Sequence, residues 1–358
     1  MGFEALRFFN FRNLLDGELP LDAREVFLVG ENGQGKTNLL EALHLLVVGS
    51  SFREKRESAF PRDPSAPLSL SARLGAEGAS TVGLLMAPGK RKEIRVNDKA
   101  VTERRSLLAE ALCIAFVQQD MDFVIGTPED RRRFFDPTLV LSDLGFIDAL
   151  RGYRQVLRSR NISLRDGSDE LLDVYDAQLA TLGLALQERR GDIVRRFDAV
   201  FEPLFREITG AAEPVRVRYR PSWEGLATPD DVVAHLAARR ARDRLTATTG
   251  SGPHRDTCLY TYDGHDYGHF ASTGQLRLCA LALRVAQARF LAETTGRRPI
   301  LLLDDVLLEL DPARKRAFLD RLPACDQAIF TFLPDETWQA YRTDDTRVLE
   351  VRGGDFVG

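Results

Sequence analysis

The spacing of apolar residues changes several times along the chain, and each change marks an element. Glu4 to Phe11 is extended and aromatic, and Glu25 to Val29 is a short apolar run, so both predict strands. A glycine-rich turn follows. From Thr37 to Val48 the apolar residues Leu39, Leu40, Leu43, Leu46 and Val47 recur at helical spacing. From Pro67 to Val101 apolar and polar residues alternate: Leu68, Leu70, Ala72 and Leu74, then Thr81 to Met86, then Ile94 to Val96. That period predicts antiparallel strands, with turns at Gly75-Ala76-Glu77-Gly78 and Pro88-Gly89. Leu112 to Val117 reads as another buried strand.

The period changes again near Thr138. From there to Ala247 the chain is rich in Leu, Ala, Arg, Asp and Glu, with apolar residues three and four apart, as in Leu171, Val174, Tyr175, Leu179 and Leu182. This predicts a mainly helical insertion, interrupted late by Pro203, Pro214 and Pro221 around a short strand at Val215 to Tyr219. Strand patterning returns at Cys258 to Tyr262. A strongly apolar helix follows over Gln275 to Ala292, then strands at Ile300 to Leu303 and Ala328 to Leu333. The expected organisation is therefore a first half over 1–137, an inserted helical arm over 138–247 and a second half over 248–358.

Composition narrows the class without naming it. The 358 residues are 44% hydrophobic and 28% charged, which excludes a wholly disordered or fibrous chain. No apolar run approaches the ~18 residues of a membrane span, so no membrane association is expected. Met1 to Asn13 carries Glu4, Arg7 and Arg12 and lacks the apolar region of a signal peptide; a cytosolic protein is expected. Cys113, Cys258, Cys279 and Cys325 are far apart and suggest neither disulfides nor a zinc knuckle. His265 and His269 sit in a Gly-rich stretch that reads as a turn or hairpin. The net charge of −4 argues against a globally basic binder but leaves room for local clusters. Such clusters are Arg131-Arg132-Arg133, Lys55 with Arg56, and Arg314 with Lys315. The last two pairs are the first candidates for contact with DNA phosphates.

The chemistry sits in three segments. Gly30-Glu31-Asn32-Gly33-Gln34-Gly35-Lys36-Thr37 fits G-x-x-x-x-G-K-[ST], between a strand and an amphipathic helix. The glycines let the loop curl until backbone N–H groups face phosphate oxygens, and the helix adds its positive end. Lys36, expected in a solvent-reachable loop, reaches the β and γ phosphates of ATP, and the Thr37 hydroxyl ligates Mg²⁺. Ile300 to Leu303 reads as a strand buried on both faces that delivers Asp304 and Asp305 beside that loop. Asp304 is the candidate Mg²⁺ ligand and Asp305 the candidate base for the attacking water; either can also cap the next helix. The third piece, Ser272-Thr273-Gly274-Gln275, opens the apolar helix as another anion-binding corner or as a plain helix cap.

This order of motifs resembles the ABC-type ATPases, and the inserted arm resembles their DNA-repair branch. Within it the chain is similar to the RecF family of bacterial recombination mediators. Asn10-Phe11-Arg12-Asn13, the stretch from Gly126 to Asp136, Gly252-Pro253-His254-Arg255-Asp256, and Leu303 to Val306 with Glu309-Leu310-Asp311 carry the resemblance. It implies an α/β ABC-type ATPase head, a P-loop fold with a mixed sheet and an inserted helical arm. It implies ATP contacts from Arg12, from the loop through Asn38, and from Asp311. Gln118, or its neighbour Gln119, takes the place of a residue that senses Mg²⁺ and γ-phosphate. Ser272, Gly274 and Gln275 would receive the γ-phosphate of ATP held by a second copy, so ATP would join two chains into a homodimer. The implied activity is a weak, DNA-stimulated ATPase. The implied partners are double-stranded DNA beside single-strand gaps, RecR, RecO and RecA. Leu308 departs from the small residue usual before Glu-Leu-Asp. Where transporter domains carry a histidine after the last core strand, Thr331 is the nearest polar residue. A transporter domain fits poorly with the insertion, and a chromosome-structuring head would need far longer heptads. Another DNA-repair head of the same branch, or a soluble ABC ATPase that does not act on DNA, are the alternatives.

Overall fold

The structure, a computed structural model, describes the whole chain except Met1, Lys55, residues 76–79, Glu103, Leu144 and Glu309, and omits the side chains of 104 and 105. Lys55, Glu309 and most of the expected 75–78 turn thus lie outside the described residues.

Met1–Asp120 and Thr295–Gly358 form one compact unit, and Met121–Thr294 forms another. The first unit is built on two sheets and, among the described residues, the helices α1 (Lys36–Val48), α2 (Arg104–Glu110) and α9 (Pro312–Leu319). Strands β1 (Phe3–Phe9), β2 (Gly17–Pro20), β4 (Leu68–Leu74), β5 (Ser80–Met86), β6 (Glu93–Val96) and β7 (Lys99–Val101) form an antiparallel sheet in the order β2-β1-β4-β5-β6-β7. The mixed sheet contains β3 (Glu25–Val29), β8 (Cys113–Phe116), β12 (Ile300–Leu303), β13 (Gln327–Phe332), β14 (Thr346–Arg352) and β15 (Asp355–Val357). Its order is β15-β14-β3-β13-β12-β8, parallel throughout except for β15. Helix α1 (Lys36–Val48) shares one core with both sheets: Leu39, Leu40, Leu43 and Leu46 join Leu6, Leu70, Leu28 and Leu302, all fully buried or nearly so. Each such side chain contributes roughly 1.5–3 kcal/mol of burial. Strand β12 is a central strand with parallel partners β13 and β8 at its edges, and its side chains are buried on both faces of the sheet. That is why its sequence is a continuous apolar run.

The second unit is mainly helical: α3 (Asp122–Ile125), α4 (Pro128–Ser142), α5 (Gly145–Asp166), α6 (Asp169–Thr209), α7 (Pro229–Thr246) and α8 (Thr273–Thr295). A three-stranded sheet joins β9 (Arg216–Arg220), β10 (Thr257–Tyr262) and β11 (His265–Asp266). The division differs from the 138 and 247 boundaries read from composition. Pairing of β9 with β10, from Thr257 opposite Arg220 to Thr261 opposite Arg216, ties the arm to the chain beyond it. At the other end α4 starts at Pro128, ten residues before the expected onset, because Thr127 and Asp130 form a capping box in front of a proline at the first turn. Pro203 does not interrupt the helix as expected: α6 runs through it to Thr209. The hairpin expected around His265 is present as β10–β11.

Two buried polar hubs hold this unit. Arg160 (α5) bonds Asp176 (α6) at 2.6 Å and Asp243 (α7) at 2.8 Å, with Thr249 at 2.9 Å. Asp256, 1% exposed, accepts from Gln187, Arg190, Tyr219 and the Ser222 N–H. Asp256 tolerates burial because four donors meet its two carboxylate oxygens. All four cysteines are free thiols. Among the described residues no helix is long and apolar enough to cross a membrane.

Candidate nucleotide site

The loop between β3 and α1 is held open by its neighbours. Asn13 donates from Nδ2 to the Gly33 carbonyl at 2.9 Å, and Gly354 N–H donates to the Gln34 carbonyl at 2.8 Å. Gly353 N–H donates to the Gln34 side-chain oxygen at 2.6 Å. The loop is therefore clamped between the first turn of the chain and the β14–β15 hairpin. Gly354 must be glycine, since a Cβ there would strike the Asn13 carbonyl. Gly35 turns the chain into α1 at φ +119°, a conformation that side chains rarely adopt. Glu31, Asn32 and Gly33 are exposed at the loop's crest.

Lys36 does not lie in a solvent-reachable loop, as the sequence suggested. It is the first residue of α1 and 4% exposed, and its ammonium donates to the carbonyls of Gly30 and Glu31. Burial lowers its pKa below the usual lysine range, an effect that Asp305 and Asp304 partly offset. The Thr37 hydroxyl donates to Asp304 Oδ1 at 2.9 Å. This contact joins residues 267 positions apart and brings two of the three sequence segments together. Asp304 leaves β12 with its N–H on the Phe116 carbonyl at 3.0 Å. Gln118 and Gln119 therefore follow β8 two and three residues beyond that bond, and both are exposed. The Thr37 hydroxyl and the Asp304 carboxylate are hard oxygen donors. They suit Mg²⁺, which takes one or two protein oxygens and completes its shell with phosphate and water.

A second polar cluster flanks the helix. Arg12, at φ +51°, bonds Glu41 through two nitrogens, each at 3.0 Å, and the Ala59 carbonyl at 2.8 Å. Arg53 reaches the same carboxylate at 2.7 Å and also bonds Asn38. Burial pushes the Glu41 carboxyl up, but the bonds from Arg12, Arg53 and Ser51 outweigh it and hold the pKa below the usual value. Arg12, Asn13, Asn38 and Arg53 line an open cleft beside the loop. The resemblance names Arg12 and Asn38 as ATP contacts, and the sequence does not point to Glu41 or Arg53 beside them. The signal was an acidic residue, Glu41, set between Leu40 and Ala42 on a face otherwise buried and apolar.

The chain matches the RecF/RecN/SMC N-terminal domain family over residues 3–349. It is 38% identical to the DNA replication and repair protein RecF of Treponema pallidum, across 96% of this chain and 98% of that one. The chain belongs to the RecF family. A second member, from Anaeromyxobacter, is 36% identical across 96% of both chains. Among solved structures, the recombination mediator RecF-ATP of the RecFOR pathway superposes with a TM-score of 0.90 at 26% identity, covering 99% of this chain and 98% of that one. A likeness to an Smc head bound to the winged-helix domain of ScpA, with a TM-score of 0.56 at 15% identity, extends to the fold alone. The fold is thus that of the RecF ABC-type ATPase head, as the order of motifs implied.

The remaining candidate residues of this RecF-family chain are distributed as follows. In the second unit Ser272 is exposed and caps α8: its N–H donates to Gln275 Oε1 at 2.8 Å, and its hydroxyl accepts from the Gln275 N–H at 3.4 Å. Gly274 is exposed, and a Cβ there would meet nothing. In the first unit Asp311 caps α9 (Pro312–Leu319), accepting from the Arg314 N–H at 2.9 Å. Arg314 is exposed beside Asp311, and Arg56 is exposed beside Glu54. Lys315 is half-buried. Arg131 and Arg132 are spent inside the second unit, on Asp266, the Cys258 carbonyl and the Asp256 carbonyl. Arg133 pairs with Glu129 and Asp130.

Burial, and then the charge of Asp305, raise the pKa of Asp304 to about 6 from a usual 3.8. The folded chain therefore binds this proton more tightly than the unfolded chain does. That contribution to stability is full below the unfolded value and is lost as pH rises through the folded one. At pH 7.5, with nucleotide and metal removed, Asp304→Asn should stabilise the protein by about 1–2 kcal/mol. The difference should shrink toward zero near pH 4. Urea melts at the two pH values measure it; a variant less stable than the parent at pH 7.5 would contradict the assignment.

Proposed function

We propose that this chain is an ATP-dependent DNA-binding protein of recombinational repair that joins a second copy when ATP is bound. The observation that carries the reading is the Thr37–Asp304 contact, with Lys36 and Asp305 beside it. Loop N–H groups would bind the β and γ phosphates, and the Lys36 ammonium would exchange two loop carbonyls for phosphate oxygens. Mg²⁺, when bound through Thr37 and Asp304, supplies charge neutralisation across the phosphates. Asp305 orients the attacking water and takes its proton, and Gln118 watches the γ-phosphate from the end of β8. Ser272, Gly274 and Gln275 of one copy complete the site of the other, and Asp311 is a further ATP contact. The solved RecF-ATP relative supports ATP as the ligand. The RecFOR pathway named for that relative supports RecO and RecR as partners, and the same reading takes RecA as the protein loaded at gaps.

The test is ATP hydrolysis with and without gapped duplex DNA. A slow rate that rises with gapped duplex is expected. A rate indifferent to DNA, with no binding to it, would remove the repair reading. Binding should be weakly sequence-dependent and strongly salt-dependent, because a net acidic protein must reach phosphates through local clusters. If about five phosphates are neutralised, the log–log salt slope should be roughly −4 to −5. Charge reversal at Arg56, Arg314 and Lys315 should flatten it; Lys55 is the fourth target. An affinity that barely moves between low and moderate salt would exclude phosphate contacts as its source.

A further inference from the structure

Strand β13 is buried at every position, and Thr331 is its polar exception near the carboxylates, 4% exposed. A valine would fill the same space. Leu303 pairs with Phe330, so Thr331 lies beside the point where the neighbouring strand delivers Asp304 and Asp305. Its hydroxyl oxygen accepts from the Asp305 backbone N–H at 2.8 Å, and its hydroxyl hydrogen reaches Asp305 Oδ1, also at 2.8 Å. Asp304 Oδ1 is 3.4 Å away. The residue so held is strained: Asp305 sits at φ +51°, the left-handed region that non-glycine residues adopt at a cost of about 1–2 kcal/mol.

We infer that Thr331 is a positioning residue for hydrolysis: its hydroxyl clasps Asp305 at backbone and carboxylate and fixes this strained residue in the orientation that aims it at the attacking water. One side chain thus sets both the backbone angle and the carboxylate rotamer. A packing role would need the methyl and Cβ but not the hydroxyl. The inference rests on Asp305 being the carboxylate that handles water, and it adds a residue on another strand that holds it there.

The full chain is compared as parent, Thr331→Val, Thr331→Ser, Thr331→Ala and Asp305→Asn. ATP binding is followed with a fluorescent ATP analogue, and steady-state hydrolysis with ATP, Mg²⁺ and gapped duplex. Thr331→Val keeps the volume and removes the hydroxyl. It should bind nucleotide within about twofold of the parent and lose 10- to 100-fold in kcat, the scale of a small misplacement of a reacting group. Thr331→Ser keeps the hydroxyl and should recover most of the rate. If Thr331→Val fails to fold, Thr331→Ala against Thr331→Ser carries the same comparison. Parental kcat in Thr331→Val or Thr331→Ala, with Asp305→Asn inactive, overturns the inference and leaves Asp305 in its role. Thr331→Ser as slow as Thr331→Val also overturns it, because packing would then explain both. Parental hydrolysis by Asp305→Asn would instead remove the reading on which the inference rests.

Discussion

Lys36→Met should reduce ATP hydrolysis by 100- to 1,000-fold or more, the scale of losing one fixed charge-stabilising group. The fold should survive. The lysine stem is buried at the start of α1, and methionine keeps most of its length and apolar volume. What disappears is the ammonium that donates to the Gly30 and Glu31 carbonyls. The Glu31 carbonyl belongs to the exposed crest and can turn to water, whereas the Gly30 carbonyl is buried and loses a partner, so the expected loss of stability is about 1–3 kcal/mol. Lys36→Arg should be scarcely better. A planar guanidinium needs a wider niche than a buried 4% exposed point charge occupies, and it cannot reach the same oxygens from that position. Nucleotide binding, melting temperature and steady-state hydrolysis together decide the case. Hydrolysis at the parental rate in a folded Lys36→Met protein would refute the phosphate-loop assignment.

How much of this was legible depended on whether the signal was local. The run Ile300 to Leu303 matches β12 residue for residue, because a strand buried on both faces of its sheet has no polar face to blur its ends. The stripe Leu39, Leu40, Leu43, Leu46 and Val47 placed α1 for the complementary reason: a helix shared by two sheets must repeat its apolar positions. The hairpin β14–β15 was missed although Gly353-Gly354 marks its turn; its outer residues alternate with charges and look like solvated loop. The start of α4 was also missed, although Thr127, Pro128 and Asp130 spell a capping box. Other features had no local trace. Nothing within reach of Glu41 along the chain shows that Arg12 and Arg53 converge on it. Asp256 stood in a motif with no visible purpose until the fold brought Gln187, Arg190 and Tyr219 to it. The clasp of Thr331 on Asp305 belongs to this second kind: strand register creates it, not sequence proximity.

Ser272→Arg separates the two uses of the corner that opens α8. As a cap, Ser272 accepts one backbone N–H at 3.4 Å, a long bond, while its own N–H is satisfied by Gln275. Loss of such a cap costs about 1 kcal/mol and a few degrees of melting temperature. If capping were its whole purpose, ATP-driven pairing and hydrolysis would change little. If the corner receives the γ-phosphate of ATP held by a second copy, the exposed arginine should obstruct closure. The single chain would still bind ATP through Lys36 and Thr37, yet light scattering would register no ATP-dependent dimer, and hydrolysis would fall to background. Mixing this variant with Lys36→Met sharpens the contrast. In a mixed dimer one composite site joins the defective phosphate loop to the defective corner, while the other joins an intact loop to an intact corner. Each variant alone should be inactive, and the mixture should regain part of the parental rate. Normal ATP-dependent dimerisation by Ser272→Arg, or no recovery on mixing two folded variants that do associate, would leave the helix cap as the whole account of Ser272.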